Sequence, residues 1–318
     1  MLMCAFSSSV IDRVKHWITI NESWTYTNLG YVTGTFPPGH GSTSTHPLED
    51  NALMHRCVRG VDTTCHGGDA GTEPYIVAHH LHLAHATAVD VYRRNYQAVQ
   101  GGKIGITNMT TWFEPYSNSP EDIAAASRAV DFMWGWFLAP INTGDYPATM
   151  RERVGDRLPK FTPEQAKLVK GSYDFIGMNY YTTNWAKNKP TPVGTPPTYV
   201  TDQEAEFFTT KDDHRVRYYQ QHFAYMKQAI EDGVRLEGYF LWSLFDNYEW
   251  VEGYTVRFGI YYVDYVNGLV RYPKTSAIWY KNFLNKKVLP NPKQRQIEEI
   301  EDDNTAKRKR NRCVDVFF

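Results

Sequence analysis

The sequence predicts an α/β protein in which short apolar strands run parallel and alternate with helices. Two observations predict it. Apolar runs at residues 14–20 (VKHWITI), 103–107 (KIGIT), 173–178 (YDFIGM) and 238–244 (GYFLWSL) are separated by stretches with helical spacing of apolar residues. Each run then ends in polar or aromatic residues: Asn21-Glu22-Ser23, Asn108 with Trp112 and Glu114, Asn179-Tyr180-Tyr181, and Phe245-Asp246-Asn247. In α/β barrels and open α/β sheets the carboxyl ends of the strands carry the chemistry, so the site is expected at these four ends.

The helices have their own signals. Residues 76–100 keep a helical period, and Ser119-Pro120-Glu121-Asp122 supplies a cap, a first-turn proline and acidic residues. Thr162 and Gln165 form a capping box, with Gly171 as the stop. Residues 212–232, closed by Gly233, and residues 273–284 read as the last two helices. Residues 33–72 and the proline-dense residues 187–199 read as loops. After residue 290 an acidic run, 298–303, meets a basic run, 307–312, so the chain divides into a folded part, 1–290, and a charged, disordered tail, 291–318.

Composition excludes several partners. With 34 Lys plus Arg against 35 Asp plus Glu, the net charge of -1 gathers neither nucleic acid nor an anionic membrane. No run of about 18 apolar residues is present to span a bilayer. Residues 1–10 lack the basic start and long apolar stretch of a signal peptide, so the chain as written is expected to enter no secretory route. Nine Trp, 22 Tyr and 16 Phe fit either a large core or a pocket walled by flat apolar rings.

Glu22 is the leading candidate for chemistry. A carboxyl group at the mouth of an α/β sheet, followed by Trp24 and shielded from bulk water, has its pKa raised and can donate a proton near neutrality. Taken alone, the same residue also reads as a surface glutamate capping the next helix. A second constellation is Trp242-Ser243-Leu244-Phe245-Asp246-Asn247-Tyr248-Glu249-Trp250, followed by Arg257-Phe258-Gly259. A carboxylate flanked by indoles suits carbohydrate, since the acid accepts from hydroxyls while the ring covers the apolar sugar face; ordinary aromatic packing is the competing reading.

The blocks Ile18-Thr19-Ile20-Asn21-Glu22, Gly68-Asp69-Ala70-Gly71-Thr72-Glu73-Pro74-Tyr75, Asp174-Phe175-Ile176-Gly177-Met178-Asn179-Tyr180-Tyr181 and residues 242–250 occur in the order seen in plant family 1 β-glucosidases, which this chain resembles over residues 12–285. The resemblance implies a (β/α)8 barrel and a retaining glycosidase in which Glu22 is the acid/base and Asn21 holds the sugar 2-hydroxyl. Asn179 and Tyr181 would line the pocket, with Tyr181 facing the nucleophile. It further implies that Trp242 and Trp250 contact glucose, that Glu249 accepts its distal hydroxyls and that Phe258 closes the wall. Glutamate at position 22, where thioglucosidases of the family carry glutamine, implies O-glucosides. Cys57 and Cys65 match the family's loop disulfide, and neither a cofactor nor a metal is implied. Of two glycosylation sequons, Asn21-Glu22-Ser23 falls in the pocket, which leaves Asn108-Met109-Thr110 as the acceptor, given a secretory route.

The resemblance breaks in two places. It starts at the family's fourth strand, so an incomplete barrel is expected, with open edges prone to self-association. A retaining mechanism also needs two carboxyl groups about 5 to 5.5 Å apart, and the Thr-Glu-Asn-Gly block that carries the family's nucleophile does not occur here. Asp202 in Val200-Thr201-Asp202-Gln203-Glu204 is rejected as a substitute, because it follows Tyr181 too closely and resembles a segment after the sixth strand. The pattern jumps from Thr210 to Lys211, where the seventh strand is skipped. The expected ligand is a small β-glucoside, with catalysis impaired; the alternative is an inactive remnant with partial sugar binding. A zinc site on His79, His82 and His85 is set aside, since no acidic or cysteine ligand completes the shell.

Overall fold

The computed structural model describes residues 13–41, 66–209 and 215–286, in two compact units divided after Thr209. Cys57, Cys65 and the charged tail lie outside the described residues.

The first unit runs β1 (His16–Asn21), α1 (Ser23–Tyr31), α2 (Glu73–Tyr92), β2 (Lys103–Pro115), α3 (Pro120–Val130), α4 (Trp136–Thr143), α5 (Ala148–Val154), α6 (Pro163–Val169), β3 (Phe175–Asn188), α7 (Tyr199–Gln203) and β4 (Ala205–Thr209). Its sheet has the order β1-β2-β3-β4. β1 pairs with β2 in parallel from His16↔Lys103, and β2 with β3 in parallel from Gly105↔Phe175. β4 returns antiparallel, with Asn184 opposite Thr209. Helical crossovers between the parallel strands are what such pairing requires.

β2 and β3 outrun the apolar segments that announce them. Trp112 and Glu114 lie inside β2, and Asn179 and Tyr181 inside β3, because polar and aromatic side chains alternate there with Phe113 and Ala186, which are buried under α3. Asn108 is fully buried in the middle of the ladder. It therefore cannot carry a glycan in the folded chain, which corrects the sequon reading.

The caps form as expected. Ser119 Oγ accepts from the Asp122 amide at 3.2 Å, and Thr162 and Gln165 close a reciprocal capping box. α2 is shorter than its periodicity, ending at Tyr92 before a wide π turn, Arg93–Gln97. That turn aims Arg93 and Gln97 at Asp174, whose carboxylate also accepts the Ile104 amide at 3.0 Å, joining the starts of β2 and β3.

The buried stripe of α2 includes Tyr75, Ala78, Ala86 and Val89 together with three histidines. His79 is hydrogen-bonded to the Tyr146 hydroxyl at 3.0 Å and stacks on Phe161. His82 donates to the Trp136 carbonyl at 3.2 Å, and His85 meets Thr19 Oγ1 at 2.6 Å. These rings are core members bonded to their neighbours. Among the described residues no cluster of His, Cys, Asp or Glu is placed to hold a metal.

The second unit contains α8 (Arg215–Glu231), a hairpin of β5 (Tyr261–Asp264) and β6 (Val270–Pro273), and α9 (Thr275–Leu284). Phe223 of α8 stacks on Phe283 of α9 at 4.8 Å, beside Tyr219 and Trp279. Residues 238–244, expected as a strand, form no ladder. Of the backbone groups in this run, the carbonyls of Ser243 and Leu244 are bonded, to the amides of Ile260 and Tyr261, and Phe240 is exposed. A strand is held by the partners beside it, and this run has none along most of its length.

Burial holds His82 down to about 3 and His85 to about 4, with His85 lowering His82 further and the backbone bonds opposing. In the unfolded chain each takes a proton near 6.5. Acid therefore favours unfolding: stability falls from pH 6.5 downward by about 1.4 kcal/mol per pH unit per histidine, until each folded-state value is reached. Urea midpoints measured between pH 7 and 4 should show this fall, and His82→Leu should reduce its slope by about one proton.

Candidate active site

Glu22 follows β1 directly and adopts the left-handed conformation, φ 54 and ψ 58. For a residue with a side chain this costs on the order of 1 kcal/mol. Two backbone bonds hold it there, from the Glu22 amide to the Thr107 carbonyl at 2.8 Å and from the Tyr26 amide to the Glu22 carbonyl at 3.1 Å. The residue occupies the N-cap position of α1, yet its side chain makes no capping bond, so the capping alternative does not describe it.

Instead the half-buried carboxylate collects three donors. Asn179 Nδ2 donates to Oε1 at 2.7 Å, the Tyr181 hydroxyl to Oε1 at 3.4 Å, and Thr25 Oγ1 to Oε2 at 2.9 Å. Asn179 Nδ2 also reaches Asn21 Oδ1 at 3.1 Å. Bonds from three separate positions, on α1 and on β3, fix the side-chain direction. Closeness of the strands matters here: a Cβ on Gly177 would fall 2.3 Å from Thr107 Oγ1.

Four expected site residues, Asn21, Glu22, Asn179 and Tyr181, thus meet in the first unit. Thr25 was not anticipated, although its spacing of three from Glu22 across a helix start is the signal that could have found it. Trp24, expected to shield Glu22, turns into the core, where its indole N–H donates to the Tyr199 hydroxyl at 2.7 Å.

Asp202 has a structural role. It is buried on α7, bonded through both oxygens to Arg157 at 2.6 and 2.8 Å and to the Tyr75 hydroxyl at 2.6 Å. Its lone pairs are committed to partners that hold α7 against the core.

The other four expected residues, Trp242, Glu249, Trp250 and Phe258, lie in the second unit, whose local anchor is Asp246. The Asp246 carboxylate accepts from the amides of Gly259 at 3.0 Å and Val263 at 3.1 Å and from Lys274 Nζ at 3.2 Å, tying the segment of residues 245–250 to the hairpin. Glu249 is buried, and its Oε1 has no hydrogen-bond partner. Burial pushes its carboxyl above the usual carboxylate range; Asn247 opposes this and Asp246 adds to it. A buried acceptor without a donor suits an incoming hydroxyl. Trp242 and Trp250 are exposed, and Phe258 is half-buried next to Gly259.

The profile of glycosyl hydrolase family 1 matches residues 4–209 and 194–289. Oleuropein beta-glucosidase of Olea europaea is 43% identical over 352 residues, which cover 92% of this chain and 64% of that protein. Raucaffricine-O-beta-D-glucosidase of Rauvolfia serpentina is 41% identical over 364 residues, covering 94% and 67%. Among solved structures, the rice Os3BGlu6 beta-glucosidase superposes with a TM-score of 0.74 at 37% identity, over 85% of this chain and 66% of that one. A family 1 beta-glucosidase from the fungus Humicola insolens, in complex with glucose, gives 0.73 at 35% identity, over 88% and 67%. The chain spans 64% of the length of the olive protein and 66% of the rice structure. Together with the strand order, these likenesses show an α/β fold that is an incomplete (β/α)8 barrel.

Asp202→Ala leaves Arg157 and Tyr75 facing an empty acceptor site. It should lower unfolding stability by about 3 kcal/mol in urea titrations, whereas a residue held ready for chemistry would cost little to remove.

Proposed function

Because the chain belongs to glycosyl hydrolase family 1, we propose that it is a β-glucosidase-like glycoside hydrolase directed at O-β-D-glucosides, with the proton-donating half of a retaining site assembled and the nucleophilic half absent. The observation that carries this reading is the Glu22 carboxylate, oriented by Asn179, Tyr181 and Thr25 at the carboxyl end of β1. Glu22 donates a proton to the departing aglycone oxygen, and Asn21, fixed by Asn179, holds the sugar 2-hydroxyl. In the second unit taken by itself, the unpartnered buried oxygen of Glu249 is suited to accept a sugar hydroxyl, with Trp242, Trp250 and Phe258 offered for apolar contact. The ligand is a small β-glucoside.

Because the sequence holds no Thr-Glu-Asn-Gly block, this reading expects slow turnover. A second reading, a non-catalytic sugar-binding chain, is favoured by the absence of a Thr-Glu-Asn-Gly block. A small external nucleophile separates the two. Azide attacking the anomeric carbon opposite the aglycone would form α-glucosyl azide as the protonated aglycone leaves.

In the first reading, azide raises aglycone release from an alkyl β-glucoside above buffer, and Glu22→Gln lowers that rescued rate by about 10² or more. No release with or without azide removes the enzymatic reading. A glucose titration that moves no indole NMR signal removes sugar binding at Trp242 and Trp250 as well.

A further inference from the structure

The hairpin of the second unit borders a hollow of about 640 Å³ that none of Trp242, Glu249, Trp250 and Phe258 lines. Small-molecule pockets span roughly 300–1,000 Å³, so its size is that of a binding site. Val263 of β5 and Arg271 of β6 are directly paired and share a face of the hairpin. Phe245 stands beside them through a parallel bridge to Tyr261. The hairpin turn adds Leu269, an exposed side chain on a left-handed backbone, φ 59, which costs on the order of 1 kcal/mol. Its amide donates to the Asp264 carbonyl at 3.0 Å, which keeps the turn closed. Tyr254 and Tyr265, edge to face at 4.9 Å, complete the wall.

Two polar groups of this wall await a ligand. Arg271 lies over the Phe245 ring at 5.2 Å, and among the described residues it has no carboxylate partner. The Tyr265 hydroxyl is buried with no hydrogen-bond partner. We propose that the hollow binds an aromatic monocarboxylate, whose ring packs among Phe245, Tyr254 and Leu269 and whose carboxylate pairs with Arg271 and accepts from the Tyr265 hydroxyl. The guanidinium fork matches a carboxylate in shape, and its hydrogen bonds are charge-assisted.

Charge and bonding narrow the choice of occupant. A sugar needs acceptors for its hydroxyls, and those on this wall are committed: the Asp246 carboxylate accepts from the Gly259 and Val263 amides and from Lys274. The Asn247 amide donates to Ser243 Oγ and the Phe245 carbonyl. A phosphate dianion would set two negative charges against one cation, beside the carboxylate of Asp246. One negative charge on a flat apolar body meets both the free cation and the exposed rings. The hollow lies wholly in the second unit, and the inference does not depend on Glu22 acting as an acid.

The test is a fluorescence titration of 2-naphthoate with the full chain, checked by calorimetry. Saturable binding is expected, about tenfold or more tighter than that of neutral 2-naphthamide, and unchanged by excess glucose. Arg271→Gln should weaken it about tenfold or more, and Arg271→Lys, which keeps the charge without the fork, by less. Leu269→Gly should weaken binding without lowering the melting temperature, because glycine takes the left-handed backbone freely. Far-UV spectra and melting of each variant report folding. Absence of saturable binding at millimolar naphthoate overturns the proposal, as does equal binding of naphthamide or indifference to both Arg271 substitutions. Displacement of naphthoate by glucose assigns the ligand to the sugar site and overturns it too.

Discussion

Parallel pairing of β1, β2 and β3 decides where every other feature of the first unit goes. Parallel strands all end on one side, so the residues that follow them are gathered there whatever their distance in sequence. The amide of Glu22 binds the Thr107 carbonyl as the last rung of that ladder. From that rung the chain turns through a left-handed residue into α1, and the turn, rather than the helix, aims the carboxylate across the sheet at Asn179. Asn179 is 157 positions away in the chain and one hydrogen bond away in space.

The same ladder accounts for what an incomplete barrel keeps. Each parallel pair is covered by helices, so the core survives as packed layers: α2 against Ile104 and Ile106, and α3 against Phe113 and Ala186. Inward histidines on α2 and the Asp202–Arg157–Tyr75 cluster stitch those layers with polar bonds. Both have the composition of a metal or catalytic site. Their committed bonds to the surrounding fold make them structural. In the second unit, Asp246 has that structural role, while nearby Glu249 keeps a buried oxygen without a hydrogen-bond partner.

Much of this is legible in the sequence. The strand at β1, the starts of β2 and β3, the caps at Ser119 and Thr162, and the cluster of Asn21, Glu22, Asn179 and Tyr181 all follow from local patterns and a family likeness. Other features were not legible. The strand expected at residues 238–244 has the right apolar pattern but lacks neighbours to bond with. Trp112 and Glu114 look like a loop that follows a strand, and become strand residues because β3 and β4 pair beside them. Trp24 stands next to Glu22 in the chain and turns away from it, since the Tyr199 hydroxyl waits in the core.

By itself the amino-acid order determined the α/β class, the helix starts and the residue types that make acid–base and sugar chemistry available, because these depend on periodicity and on neighbours within a few positions. Tertiary structure alone decided which of those residues meet. A hydrogen bond depends on separation in space, and strand register, crossover and burial set that separation for Glu22, Asn179 and Thr25, and for Asp202 and Arg157.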